Sequence, residues 1–462
     1  MFALKTIHLE KKVSNENRII LLFDLDSSCP CLYPLLYTMK SLRFQSISTQ
    51  HADLISIKFW YEFWYEKFST SFCESFYSTS YNFEIIQGEI DNFIVYLENN
   101  KKFESNLIRL RNTDHNNYTT IGHRIRSFLK FYSFLIDEYL NIQSQPQLTL
   151  KEIQKIKENL NKYLIKKKKI INNFSKANKT IKSEINHNFK SMNQEMIKGL
   201  YSVISPSNSN RSNELNPFIS KNVQLRNFLI IHLMLNYGLR IGELMLLTTN
   251  SIKKSIQNHN FSLIITNTDD EFDDRSKKPK IKNEYSYRVI KLQERDYRIL
   301  QIYINEIRKE IPSQILFTSL KPPYSALSYA SVKKIFDQVD SSLKVLLPEC
   351  FDTSAYDSIE RLTPHVCRHS WAYMMLSFSF EKYKKENVSN FDLKQSVNDA
   401  LLKAQDDLRA LGGWSPTSTM PIYYGKRFIV ERANFMNLAR IIDSSIKWLC
   451  CTNLAYKVYS VL

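Results

Sequence analysis

A single arginine stands in the middle of the apolar run MLNYGLRIGEL, residues 234 to 244. Burying an unpaired guanidinium is costly, so Arg240 must reach water, pair with Glu243, or hold an anion that the chain does not supply. Other polar residues also stand where a core would not ask for them. His365 and Arg368 are three apart behind Thr363 and Pro364, an N-cap and first-turn pair that starts a helix, so they share one face. Lys282, with Lys280 close by, sits in a charged hairpin, and Trp414 follows Gly412 and Gly413 ahead of the pair Tyr423 and Tyr424. Two arginines, a histidine, a lysine and a tyrosine suit displacement at a phosphodiester. Guanidinium forks hold nonbridging oxygens bidentately while staying charged. A tyrosine can be the nucleophile, storing the bond energy in a phosphotyrosyl link, while a lysine protonates the departing oxygen. That chemistry calls for no metal and no cofactor.

Composition points the same way. The chain carries 63 Lys and Arg against 46 Asp and Glu, a formal charge of +17 and a pI near 9.3, which favours a polyanionic partner such as nucleic acid. Glycine is scarce: five of the eight lie at positions 238, 242, 412, 413 and 425, around Arg240, Trp414 and the tyrosine pair, where tight turns or close approaches are needed. The seven cysteines are odd in number and lack C-x-x-C spacing, so neither a disulfide framework nor a zinc site is expected and a reduced cytoplasm fits. With no cleavable apolar leader and no run of 18 apolar residues, the chain reads as soluble, with no membrane partner.

The elements that must position these residues follow from periodicity. Residues 1–50 read as an N-terminal arm or hairpin, with IILLFDL (19–25) as a strand. Residues 51–150 read as a compact helical domain. In YTTIGHRIRSFLKFYSFLIDEYL the residues Ile125, Phe128, Leu129, Tyr132 and Ile136 share one face, while His123, Arg124, Arg126 and Lys130 project from the others, near a helix start that favours phosphate. Between 151 and 200 there are thirteen lysines against four glutamates, including Lys166, Lys167, Lys168 and Lys169. With few aromatics, residues 151–217 read as a partly helical basic linker able to lie along a phosphate backbone. Residues 218–462 read as mainly helical with a small antiparallel sheet. NFLIIHLMLNY forms a helix ending at Gly238, two strands flank the charged hairpin, ILFT is a short strand, and IVERANFMNLARIIDSSIKWL closes the chain as an amphipathic helix.

At this point the chain resembles the tyrosine recombinases, or phage-type integrases. LNYGLRIGELMLL is similar to the family's first arginine box, TPHVCRHSWA to its H-x-x-R box, and LGGWSPTSTMPIYYGKRF to the terminal box with its nucleophilic tyrosine. The three boxes occur in the family's order across about 190 residues. The resemblance implies Arg240 and Arg368 as phosphate clamps, with Glu243 supporting the first. It implies His365 as a proton-transfer and hydrogen-bonding residue, Trp414 as the residue behind the phosphate, and a hairpin lysine, Lys282 or Lys280, as the acid. The usual nine-residue separation from the Trp position selects Tyr423; Tyr424 becomes the nucleophile if the loop carries one extra residue. Cys367 stands where the family usually has a larger aliphatic residue.

By the same resemblance the fold is a helical core-binding domain followed by an α+β catalytic domain, closing as a clamp on double-stranded DNA. The last helix would dock on a neighbouring protomer, or pack on its own domain. The implied reaction is cofactor-free strand exchange by a tetramer on DNA through a 3′-phosphotyrosyl intermediate, in the cytoplasm at the nucleoid, serving integration of a mobile element or a related rearrangement. Two other readings stay open: a non-catalytic DNA-binding protein on this fold, and a relaxing enzyme of the type IB topoisomerase kind.

Overall fold

A computed structural model describes residues 2–8, 18–99, 117–143, 149–185, 189–207, 212–256, 260–268, 273, 275, 278–281, 283–352, 354–387 and 393–452. The chain divides into two compact units, Met1–Asn186 and His187–Leu462.

In the first unit, strand β1 (Phe2–His8) pairs antiparallel with β2 (Arg18–Asp24) in the register Phe2 to Asp24, and β3 (Cys29–Pro30) adds to β2. Helices follow: α1 (Leu32–Tyr37), α2 (Ile47–Phe68), α3 (Phe72–Ser78), α4 (Phe83–Glu98), α5 (Asn117–Gln143) and α6 (Leu150–Ile185). Ser46, Ser71 and Asn82 start α2, α3 and α4, each accepting a hydrogen bond from a backbone N–H of the first turn. The core is aromatic. Trp60 stacks on Phe128 with ring centroids 4.1 Å apart and meets Phe93 edge-on at 5.2 Å. Helix α5 buries Ile125, Phe128, Leu129, Tyr132 and Ile136, the face its spacing predicts. Phe2, Ile20 and Leu22 join the same core, so the expected N-terminal arm is a hairpin built into this unit.

The stretch expected to be a linker is divided between the units. Its first part is helix α6, whose Leu160, Leu164 and Ile171 are buried in the first unit's core. Its second part, including α7 (Gln194–Ile204), belongs to the second unit through buried Met196, Leu200 and Val203. The lysine density hides an ordinary amphipathic stripe.

The second unit continues with α8 (Lys221–Asn236), α9 (Ile241–Leu246), β4 (Ile252–Lys254), β5 (Phe261–Ile265), β6 (Arg288–Leu292), α10 (Glu294–Ile302), α11 (Tyr329–Leu346), α12 (Pro364–Asn387), α13 (Leu393–Gly412), α14 (Met420–Tyr424) and α15 (Lys426–Thr452). Strands β4, β5 and β6 form an antiparallel sheet in that order, with Phe261 opposite Leu292, so the charged hairpin lies between β5 and β6 as expected. The expected strand ILFT is reduced to isolated bridges, Ile315 to Thr248 and Thr318 to Ala326. Helix α13, which periodicity reading passed over, packs Ala400, Ala404 and Leu408 beside Leu376 and Phe380 of α12. On α15 the first turns are held by buried Phe428, whereas Phe435, Met436, Leu438 and Ile442 are exposed. Among the described residues no helix is long and apolar enough to cross a membrane.

Candidate active site

Gly238 ends helix α8 in a left-handed turn at φ +61, and a Cβ there would lie 2.2 Å from the Trp371 ring. Two residues later Arg240 takes the N-cap position of α9, with Glu243 returning a capping bond to its backbone N–H at 2.9 Å. The Arg240 guanidinium donates to Glu243, to Ser286 Oγ at 3.2 Å and to the carbonyl of Gly413 at 3.1 Å. Glu243 is buried and also receives both Nη groups of Arg288, at 3.1 and 2.9 Å. Burial alone would raise the Glu243 carboxyl. The hydrogen bonds and charge of Arg288, then the charges of Arg240 and Arg368, hold it below the ordinary glutamate range. Arg288, at the first residue of β6, also donates Nε to the carbonyl of Leu411 at 2.8 Å.

Arg368 approaches from α12, whose start is capped by Thr363 Oγ1 accepting from the N–H of Val366 at 3.2 Å, as the sequence predicts. It is 1% exposed. Nη1 donates to the carbonyl of Gly238 and Nη2 to that of Gly412 at 2.6 Å, while Nε has no hydrogen-bond partner among the described residues. Burial, then the charge of Arg240, works against its positive charge. The turn that leaves α13 ties the two arginines together: Gly412 accepts from Arg368, and Gly413, left-handed at φ +62, accepts from Arg240. Only then does the chain place Trp414, whose ring lies 4.5 Å from the Arg368 guanidinium and 5.8 Å from that of Arg240. The resulting wall has three guanidiniums, one carboxylate bridging Arg240 and Arg288, and an Arg368 Nε without a hydrogen-bond partner among the described residues. It suits a tetrahedral oxyanion.

Opposite Trp414 lie the histidines and the tyrosines. His365 and His369, one turn apart on α12, bring their Nε2 atoms to 3.1 Å. Burial, then Lys190 and Arg368, lowers His365; burial, then His365 and Lys190, pushes His369 down to about 3, so His369 stays neutral. The ring of Tyr424 stacks on His369 at 4.2 Å, meets Trp414 at 5.1 Å and lies 5.7 Å from the Arg368 guanidinium. Tyr423 points elsewhere. It is 48% exposed, and its hydroxyl accepts a hydrogen bond from Lys190 Nζ at 2.8 Å. Two consecutive residues of one helix are about 100° apart, so the tyrosines cannot present both hydroxyls to one point.

The structure thus brings together Arg240, Glu243, His365, Arg368, Trp414 and both tyrosines. Lys282 lies outside the described residues. Lys280 is exposed in the hairpin, whose next residue, Ile281, donates its N–H to Asn267 Oδ1 at 2.9 Å. The expected DNA-binding residues lie in the other unit and are not alike. Arg124 packs its guanidinium 4.1 Å over the Phe59 ring, Arg126 is half-buried, and Lys130 stands 3.6 Å from Asp53. On α6, Lys167 is ion-paired with Asp91 and leans on Tyr163, whereas Lys166, Lys168 and Lys169 are exposed. Sequence reading missed Arg288 and Lys190. The first was one more charge on a strand, and the second was one lysine among thirteen.

Two crystal structures of the XerH site-specific recombinase are similar to this chain. The post-cleavage complex with palindromic difH substrate is 16% identical, covers 79% of this chain and 82% of its own, and has a TM-score of 0.41. The pre-cleavage complex with difH substrate is 15% identical, covers 75% and 94%, and has a TM-score of 0.32. No curated relative matches the chain. The phage integrase family model matches residues 208–382, a span that holds Arg240, Glu243, Arg288, His365 and Arg368 and stops short of Trp414 and the tyrosines. Residues 208–382 of this chain are therefore similar to the phage integrase family.

Proposed function

We propose that this protein is a site-specific recombinase that cuts and rejoins double-stranded DNA through a 3′-phosphotyrosyl intermediate. The observation that carries the reading is the convergence of Arg240 and Arg368 on Trp414, with a buried guanidinium nitrogen of Arg368 that no described residue satisfies. A scissile phosphate there would receive two charged forks held in place before it arrives. Tyr423 is the nucleophile. It has the spacing of the family's tyrosine and the exposure that a duplex needs to reach it, whereas Tyr424 is wedged between His369 and Trp414 and forms a wall. His365 hydrogen-bonds the phosphate, and Lys282 protonates the leaving 5′-oxygen. The freed 5′-hydroxyl then attacks a partner duplex.

The first unit contributes the exposed Lys166, Lys168 and Lys169 to phosphates of the DNA. Four protomers assemble on two sites, and the exposed apolar residues Phe435, Met436, Leu438 and Ile442 of α15 dock on a neighbour. The protein works in the cytoplasm, at the nucleoid, on a mobile element.

Nicked suicide substrates drawn from the DNA flanking the coding gene test this. A covalent adduct is expected for the wild type and for Tyr424→Phe and is lost in Tyr423→Phe. Binding without any adduct would make the protein a non-catalytic DNA binder, and adducts with supercoil relaxation but no recombinant joints would make it a topoisomerase-like enzyme. An adduct retained by Tyr423→Phe and lost by Tyr424→Phe reverses the assignment.

A further inference from the structure

Lys190 is the cation that the recombinase resemblance does not call for. It stands ahead of α7, far from the β5–β6 hairpin in sequence, and its ammonium donates to the hydroxyl of Tyr423 at 2.8 Å while lying 5.4 Å from the centre of that ring. Its charge also acts on both His365 and His369. Among the described residues no carboxylate is ion-paired with it, whereas Lys40, Lys67 and Lys167 of the first unit each have one.

The position is built. Ser191 and Met192, which follow Lys190, are buried. The N–H of Met192 donates to Ser370 Oγ at 2.8 Å, two residues past Arg368 on α12. Arg427 of α15, just beyond the tyrosine helix, donates to the carbonyl of Ser191 at 2.8 Å and lies 4.9 Å over the ring of Phe189. Asn193 then caps α7, accepting from the N–H of Met196 at 2.8 Å. The backbone that carries Lys190 is thereby pinned to the helix of the second arginine and to the helix that follows the tyrosines. A surface lysine with no role would need none of this.

We propose that Lys190 is a catalytic residue for Tyr423, a reading that rests on the recombinase function proposed above. As the phenolic oxygen bonds to phosphorus, the bond from phosphorus to the 5′-oxygen breaks. The phenolic proton passes to water at the exposed hydroxyl, and the departing 5′-oxygen takes up a proton. Lys190 keeps its own protons. It supplies one hydrogen bond and a fixed positive charge to the oxygen that becomes anionic, and it aims that oxygen. The rings that face Tyr423 are poor substitutes: His369 is held neutral by its burial, and the adjacent Tyr424 has no cationic group to offer.

The test is single-turnover cleavage of a nicked suicide duplex at saturating full-length protein, comparing wild type with Lys190→Ala, Lys190→Met and Lys190→Arg. The neutral variants should form adduct about a hundredfold more slowly, with DNA affinity within about twofold of wild type and an unchanged melting temperature. Part of the loss should return as pH is raised, because hydroxide takes over removal of the phenolic proton. Lys190→Arg should retain most of the rate. Neutral variants that cleave at the wild-type rate overturn the proposal, and so do variants that cleave faster, which would make the contact a latch. A wild type that binds DNA but never forms adduct sinks the recombinase reading itself, an outcome distinct from wild-type cleavage that ignores Lys190.

Discussion

Arg368 and Tyr423 belong to one candidate site, yet they are held in opposite ways. The arginine is buried, with two of its nitrogens on the carbonyls of Gly238 and Gly412 and its face against Trp414. The tyrosine is half-exposed at the end of a five-residue helix, and a lysine holds its hydroxyl. A group that must stabilise charge at the moment of reaction gains from being immobile beforehand, because no reorganisation is then required. A group that must form and release a covalent bond gains from freedom to move.

If the arginine wall is over-determined in this way, removing its central anion should have the largest effect on stability. Glu243→Gln leaves Arg240 and Arg288 without their ion-pair partner and should cost about 3–5 kcal/mol in chemical unfolding. Added phosphate should return more stability to this variant than to wild type, because the freed guanidiniums take an anion. No preferential rescue would mean that the wall does not bind anions.

Gly238→Ala attacks the same wall through its turn. The left-handed φ and the 2.2 Å approach to Trp371 should cost about 3 kcal/mol, and the displaced Arg240 should slow cleavage as well. Normal melting with normal cleavage would show that the turn relaxes freely.

A smaller effect sharpens the contrast at the boundary between the two halves, where buried His369 is held neutral. The unfolded chain takes up a proton on this histidine below about pH 6.5, whereas the folded form does not until about pH 3. Its contribution is therefore complete above pH 6.5 and is lost as pH falls, by up to about 1.4 kcal/mol per pH unit. Melting curves between pH 7 and pH 5 should fall more steeply for wild type than for His369→Gln. Equal slopes would show that the ring is charged in the fold.

The smallest effect concerns the first unit. Replacing Lys166, Lys168 and Lys169 with alanine should flatten the salt dependence of DNA binding by about two to three in the logarithmic slope, whereas Lys167→Ala should leave it unchanged, since Lys167 already answers Asp91. Equal effects would place the Asp91 pair outside the DNA-bound state.

The candidate site was legible because its residues stand in short local patterns. A glycine-ended helix, an N-cap with proline, a double glycine before tryptophan and a tyrosine pair each point to a site without any knowledge of the fold. The buried stripe of α6 was hidden for a local reason too: Leu160, Leu164 and Ile171 are few among lysines, and it takes the packed core of the first unit to reveal them as a stripe. Helix α13 was passed over because its buried face is largely small, with two alanines and one leucine among polar residues. Arg288 carries no signal in sequence at all.

The sequence by itself determined which residue types make up the candidate site and in what order they come along the chain. Tertiary structure alone decided that Arg288 completes the pair made by Arg240 and Glu243, that Lys190 reaches Tyr423, and that Tyr423 and Tyr424 face different neighbours. The reason is that caps, turns and periodic faces are set within a few residues, where steric and hydrogen-bonding rules act on the local chain. A contact between residues 190 and 423, or 243 and 288, exists only once separate elements have packed, and no local rule encodes it.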